Sequence, residues 1–417
     1  MTSLEGVRLV VACVVPVMVI PVRHWMSGGD AGRHRWLEVM LAPSKLAAIA
    51  GVAVGWGAPD WIREGLTPVA MSGFVFLSGW VGLACGSSLD LRVSRRLNRT
   101  TATSDLGQAL LAVGVVSLLV WATRFMPPEW VSFGPLHVLT LAAVCLLGPV
   151  LPARQRQRGA AGGGSGFWEP TLKSPLALLL AAGAVTIGSM PTIQLQLPPP
   201  LSHALTMEMG GPVSQLLWAT VGGAIAGLLM DLVSREDFAP GGLYVQMAAV
   251  TLVCSGLSAM MGLSPLWIGT VAGFWCVSAT LRRIDLLLVL DRGMALPRAA
   301  APALAGWFVG AGCITTGVSL RSAVVVAALI LMARPLVHIV AAVLERRHLS
   351  RRGGRRPPPI DPEIIEVDEA ALVLVGVAGL FLLPEALASL LFGALAAQWI
   401  LSVGAQFWRG QIDNPAP

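Results

Sequence analysis

Gly306 to Arg347 reads GWFVGAGCITTGVSLRSAVVVAALILMARPLVHIVAAVLERR, and its second half decides the class of the protein. From Ser322 to Leu344 an apolar run is long enough to cross a bilayer as one helix. It holds a single full charge, Arg334, 13 residues after Arg321 and 12 before Arg346. At a helical rise of ~1.5 Å per residue, those flanking arginines lie about 18–20 Å away, which puts Arg334 close to mid-membrane. An arginine at that depth costs roughly 2.5–3.5 kcal/mol on insertion scales, so it is expected to face a partner, backbone carbonyls or a wet cavity rather than lipid. Pro335 follows directly, removes one backbone donor and disfavours helix at Arg334 itself. Two roles stay open for Arg334: glue between two helices, or the lining of a site.

Composition extends the membrane reading to the whole chain. Of 417 residues, 55% are hydrophobic and 12% charged, against about 25% charged in ordinary globular domains. Net charge is +6, but the arginines stand in short loops between apolar runs, which makes them topology signals and argues against nucleic acid as a partner. The six cysteines fall inside apolar runs with no CxxC pair, as small core residues do. Gly6 to Val22 reads as a first membrane helix rather than a cleaved signal. No nucleophile–base arrangement, phosphate loop or metal-ligand cluster stands out, so enzymatic chemistry, a cofactor and a metal are not expected.

Thirteen apolar segments can be marked, at about 6–22, 45–61, 67–88, 105–123, 135–151, 174–191, 213–233, 243–262, 264–280, 301–319, 322–344, 370–385 and 386–408. Loops after the odd-numbered segments carry 23 of the 29 basic residues, Lys45 among them, whereas loops after the even-numbered ones carry Arg63, Arg124 and Arg321. The positive-inside rule then places the N-terminus outside and the C-terminus in the cytoplasm of a multi-pass cell (inner) membrane protein. The whole chain reads as one polytopic membrane domain with no soluble domain. Two cytoplasmic linkers interrupt it. Residues 153–173 begin basic and become Gly-rich. Residues 346–369 run from basic through Pro-rich to acidic; a solvated connector and a surface for anionic lipid or a partner are both open there.

Several motifs, in order, resemble the cation:proton antiporter superfamily, that of the Na⁺/H⁺ exchangers and the membrane domain of Kef-like proteins. Lys45 to Pro59 (KLAAIAGVAVGWGAP) is similar to the family's early helix, with Gly51 and Gly55 as a close-packing face. GFVFLSGWVGLACGSSLDLRVSRRL is similar to the next helix, which closes on a Leu-Asp-Leu-Arg step at Asp90. Gly262 to Gly273 (GLSPLWIGTVAG) resembles a later helix with Gly269 and Gly273 as its small face. Phe308-Val309, Gly312, Gly317 to Leu320 and Arg334-Pro335-Leu336 resemble the late core, where a basic residue stands beside the ion-binding carboxylate. The resemblance implies an all-α bundle of about 13 transmembrane helices with inverted repeats and two broken, crossing core helices. It assigns the breaks to Gly148-Pro149 and to the stretch holding Gly310 and Gly312. It also implies a monovalent cation and a proton as cargo, and a homodimer.

The chain departs from the family at the ion site. The helix that should carry a carboxylate, SPLALLLAAGAVTIGSM, has no acidic residue and offers only Thr186 and Ser189 as oxygens. Thr315 and Thr316 could add oxygens, and Arg334 without its carboxylate makes a small anion or a neutral substrate as credible as Na⁺. Glu385, after Pro384, is the buried acid that could substitute; Asp231 reads as a surface ion pair with Arg235, four residues on. His338, one turn from Arg334, is open to packing or to titration near neutral pH. Ordinary Na⁺/H⁺ exchange is therefore not expected. A transporter lacking the usual carboxylate and a non-transporting membrane partner or scaffold both remain open.

Overall fold

A computed structural model describes residues 42–87, 99–123, 135–146, 211–235, 240–280, 283–315, 320–351, 369–382 and 387–413. Among them the chain forms helices and no strand. In order they are α1 (Pro43–Gly57), α2 (Asp60–Ser87), α3 (Arg99–Ala122), α4 (Pro135–Leu146), α5 (Gly211–Ser234), α6 (Pro240–Met260), α7 (Pro265–Ala279), α8 (Arg283–Gly293), α9 (Ala295–Thr315), α10 (Leu320–Arg351), α11 (Glu369–Leu382) and α12 (Leu387–Asp413). Five of them, α2, α5, α6, α10 and α12, contain stretches long and apolar enough to cross a membrane. The protein is membrane-embedded and helical. Eleven of the thirteen apolar segments coincide with helices; those at 6–22 and 174–191 lie outside the described residues.

Local chemistry sets the helix ends. Pro43 starts α1, and Ala58, extended at ψ 135° because Pro59 follows, stops it. Ser264 caps α7, its hydroxyl accepting from the Trp267 N–H at 3.4 Å, with Pro265 as first residue. Between α6 and α7, Gly262 takes φ 68°. Its left-handed backbone lets the Leu263 N–H reach back to the Ser258 carbonyl at 2.8 Å and close the helix end.

Two interfaces pack closer than side chains allow. In the first, a Cβ added to Gly51 would strike the Ala303 carbonyl, and one on Gly55 the Trp307 carbonyl. Reciprocally, Gly306 and Gly310 of α9 admit the carbonyls of Ala48 and Val52. In the second, Gly269 and Gly273 of α7 admit the carbonyls of Gly79 and Leu83, while Gly82 and Gly86 of α2 admit those of Leu266 and Thr270. Each is a mutual small-residue seam, four glycines opposite four carbonyls, of the kind that brings membrane helices into backbone contact. Contacts advance along both helices together, so α1 runs parallel to α9 and α2 parallel to α7. Gly223 and Gly227 of α5 seat Val271 and Trp275 in the same sense, so α5 runs with α7. The small faces expected at Gly51 and Gly55, and at Gly269 and Gly273, are thus points of backbone-to-backbone contact between helices.

Directions of the remaining helices follow. Gly73 of α2 lies against Leu304, whereas Gly55, near the end of α1, lies against Trp307 and Ala311. With only Ala58 and Pro59 between α1 and α2, Asp60 can lie within reach of Gly57 only if α2 runs opposite to α1 and α9. One end of the bundle therefore collects the start of α1, the ends of α2, α5 and α7, all of α8 and the start of α9. Arg235, Arg292 and Arg298 are exposed there. Arg63 and Arg321 stand at the opposite end. A large apolar core joins α1, α3, α4 and α9–α12 to one face of α2 through Phe74, whose ring lies 5.6 Å from that of Phe308. A second core joins α5–α8 to the other face of α2 through Trp80, whose ring stands edge-on to Tyr244 at 5.6 Å.

Several expectations are corrected. Gly310 and Gly312 do not break a helix: α9 is continuous from Ala295 to Thr315, because Gly310 serves close approach to α1 instead. Pro335 does not interrupt α10, which runs unbroken through it and extends to Arg351. Residues 283–293, read as a loop, form α8, with Leu286, Val289 and Leu290 buried at helical spacing. Gly148 and Pro149 lie outside the described residues.

The seams make a signed prediction. Gly306→Leu or Gly82→Leu forces a side chain into backbone, which cannot yield; it should cost at least the ~1–3 kcal/mol typical of overpacking and lower the melting temperature in detergent. Gly114→Ala on α3, where an added Cβ meets nothing within 4 Å, should leave melting unchanged or raise it, since alanine favours helix by about 0.5–1 kcal/mol.

Candidate functional site

Arg334 is completely buried, at 0% exposure, among the largest fully enclosed side chains of the protein. Its Nη1 donates to the Val144 carbonyl of α4 at 2.6 Å. A guanidinium holds five donors in a plane and suits a backbone carbonyl acceptor of this kind. The bond offsets part of the cost of burying the charge and ties α10 to α4 across 190 residues.

Among the described residues, the α4 stretch around this pair is apolar. Leu141, Ala142, Ala143, Val144, Cys145 and Leu146 are each 5% exposed or less, so every side of α4 in this stretch is covered. α11 is similarly enclosed from Ala371 to Val375. Beside Arg334 a narrow crevice separates α3, α4 and α10. Val116, Leu119, Leu141, Cys145, Ile330 and Ala333 line it, and it is too narrow for a water molecule.

His338 lies one turn beyond Arg334 and is buried. Thr315 closes α9. Thr186, Ser189, Thr316 and Glu385 lie outside the described residues. Of the anticipated site residues, the structure therefore brings Arg334 and His338 onto one buried face.

Three polar features differ from their sequence reading. Lys45, counted among loop cations, sits in the first turn of α1 at 4% exposure, and its Nζ donates to the Ser402 hydroxyl of α12. A lysine two residues after Pro43 looks like a loop residue in the sequence; Ser402, 357 residues away, is what takes it inward. Arg63, counted among the loop cations, is buried, pairs with Asp60 at 3.1 Å and donates to the Ala58 carbonyl at 2.9 Å, bracing the α1–α2 link. Asp231 does pair with Arg235 at 2.9 Å, but only the arginine is exposed. The carboxylate is buried, and its second oxygen accepts from the Thr280 hydroxyl, fastening α5 to the end of α7.

Arg334→Leu should leave the Val144 carbonyl without this donor, a loss of about 1.5–3 kcal/mol for a charge-assisted bond. Its melting temperature in detergent should fall well below that of Arg321→Leu, an exposed position, with Arg334→Lys between the two. For Asp231, a double-mutant cycle with Thr280→Val should show coupling of about 0.5–3 kcal/mol. Arg235→Gln, on the exposed side of the pair, should cost less than about 1 kcal/mol.

No protein-family model matches the chain and no curated protein matches it, which leaves the chemistry of these residues to carry the functional reading.

Proposed function

We propose that the protein has a membrane-transporter architecture of the cation:proton antiporter type, in which a fixed positive charge, Arg334, stands where an exchangeable proton site would otherwise operate. The observation that carries the architecture is the correspondence between the two seams. Gly51 stands to Ala303 and Trp307 as Gly269 stands to Gly79 and Leu83; Gly306 stands to Ala48 as Gly82 stands to Leu266. Exchanging α1 with α7 and α2 with α9 maps one seam onto the other in the same register. Since α1 runs opposite to α2, and α2 runs with α7, the two units have opposite senses, which supports an inverted repeat.

Helix direction also supports the larger count. α2 and α5 run the same way, so the chain crosses an odd number of times between Ser87 and Gly211. α3 and α4 supply two crossings, and on this reading the apolar segment at 174–191 supplies the third of a thirteen-helix chain. The basic end, with Arg235, Arg292 and Arg298, is then cytoplasmic, and the C-terminus lies on that side of the inner membrane.

Exchange of Na⁺ for H⁺ needs one group that holds a proton in one half-cycle and a cation in the other. Arg334 cannot alternate in this way, because a guanidinium stays protonated at any accessible pH. A positive charge at the core favours a small anion or a neutral solute over a monovalent cation. The narrow, wholly apolar crevice beside Arg334 favours a second reading, a non-transporting partner or scaffold built on the same frame.

Purified protein in liposomes, with a pH-sensitive dye inside, tests the proposal. Adding Na⁺, K⁺ or Li⁺ should produce no proton flux beyond that of empty vesicles, and a parallel anion screen should reveal the cargo. Cation-dependent proton flux abolished by Arg334→Ala would overturn the fixed-charge reading. Flux abolished only by Glu385→Gln would place a working carboxylate on another helix. Silence across both screens would favour the scaffold.

A further inference from the structure

We propose that the hydrogen bond from Lys45 to Ser402 is a releasable latch, which holds α12 against α1 at the basic end of the bundle and closes a passage leading inward from that end. Its purpose rests on the transporter reading. Lys45 and Ser402 are 4% and 7% exposed, and the Lys45 Nζ donates to the Ser402 hydroxyl. The two residues belong to different parts of the frame. α1 is fixed to α9 through the glycines of their seam. α12 lies on α10, where a Cβ at Gly393 would strike the Ala323 carbonyl, and Arg334 ties α10 to α4. The latch therefore joins the α1–α9 pair to the group formed by α4, α10 and α12.

Its chemistry suits release. The Ser402 oxygen accepts from Lys45, while its O–H donates to the Trp399 carbonyl at 2.9 Å within α12. That second bond survives when the lysine leaves, so the hydroxyl is not orphaned. Lys45 stands in the first turn of α1, two residues after the exposed Pro43. Its long stem lets the ammonium swing into water at that end while the methylenes stay on apolar surface. Arg334, wholly buried in the interior of α10, has no such exit and serves as a fixed tie. Gln398 stands one turn deeper than Ser402 on the same face of α12 and is 6% exposed. Ser402 and Gln398 thus place a polar track behind the latch, on a face that Leu395 and Leu391 continue as apolar.

Gln398→Cys on a cysteine-free background reports the state of the latch. The full chain in vesicles is treated with a small membrane-impermeant methanethiosulfonate from the side on which Arg235 lies, and the rate of modification is measured. Lys45→Met and Ser402→Ala should each raise that rate at least fivefold. Ser402→Asp, which gives Lys45 a carboxylate, should lower it below the parent. Reagent from the opposite side should show neither change. Ala142→Cys on α4, also buried, should keep its parent rate in every variant. An unchanged rate at Gln398→Cys in both release variants would overturn the latch. An equal rise at Ala142→Cys would overturn it too, because the fold as a whole would then have loosened. Silent flux screens with a responsive rate would end the transporter reading and keep the latch as a movable contact; active flux with an unresponsive rate would end the latch alone.

Discussion

Glycine opposite carbonyl is the contact on which this fold depends. In lipid there is little hydrophobic force between helices, so association rests on how closely two backbones can come together. At Gly51, Gly55, Gly306 and Gly310, and again at Gly82, Gly86, Gly269 and Gly273, the space a methyl group would need is taken by a carbonyl of the facing helix. These contacts set the relative height and direction of α1, α2, α7 and α9. The two apolar cores then fill the space on either side of α2. A parallel seam cannot be made by sequence neighbours joined by a short turn, so each seam must join distant parts of the chain. Two such seams in matching register tie both halves together.

Arg334 is the second constraint, and it is of a different kind. A buried charge contributes little net stability when its desolvation is set against its bonds, but removing one partner exposes the full cost. Here the guanidinium bonds the backbone of α4 at Val144 and fixes α4 against α10. It also places a permanent positive charge among buried apolar side chains of α4 and α10.

Much of this was legible in the sequence, for identifiable reasons. The burial of Arg334 followed from the cost of a charge in lipid. Gly51, Gly55, Gly269 and Gly273 were recognisable because their four-residue spacing is a packing signal. The role of Gly310 was not, since a glycine in an apolar helix can mark either a break or a close approach, and only its neighbour α1 decides. Lys45, Arg63 and the second partner of Asp231 were also hidden, because Ser402, the α1–α2 turn and Thr280 are brought to them by tertiary folding. α8 escaped notice because its four arginine and aspartate positions outweigh a short apolar stripe. For Thr186, Ser189 and Glu385 the sequence remains the only guide.

The direction of the helices is the central claim, and side-specific labelling tests it most directly. Single cysteines are placed on a cysteine-free background at Arg235, Arg292 and Arg298, and separately at Asp60, Gly262 and Arg321. Each is exposed to a membrane-impermeant maleimide in right-side-out and in inverted vesicles. The parallel seams predict that each set of three reacts from one side only and that the two sets react from opposite sides; the positive-inside rule adds that the first set reacts in inverted vesicles. Mixed labelling within either set of three would contradict the shared direction of α2, α5 and α7, and with it the paired-seam architecture.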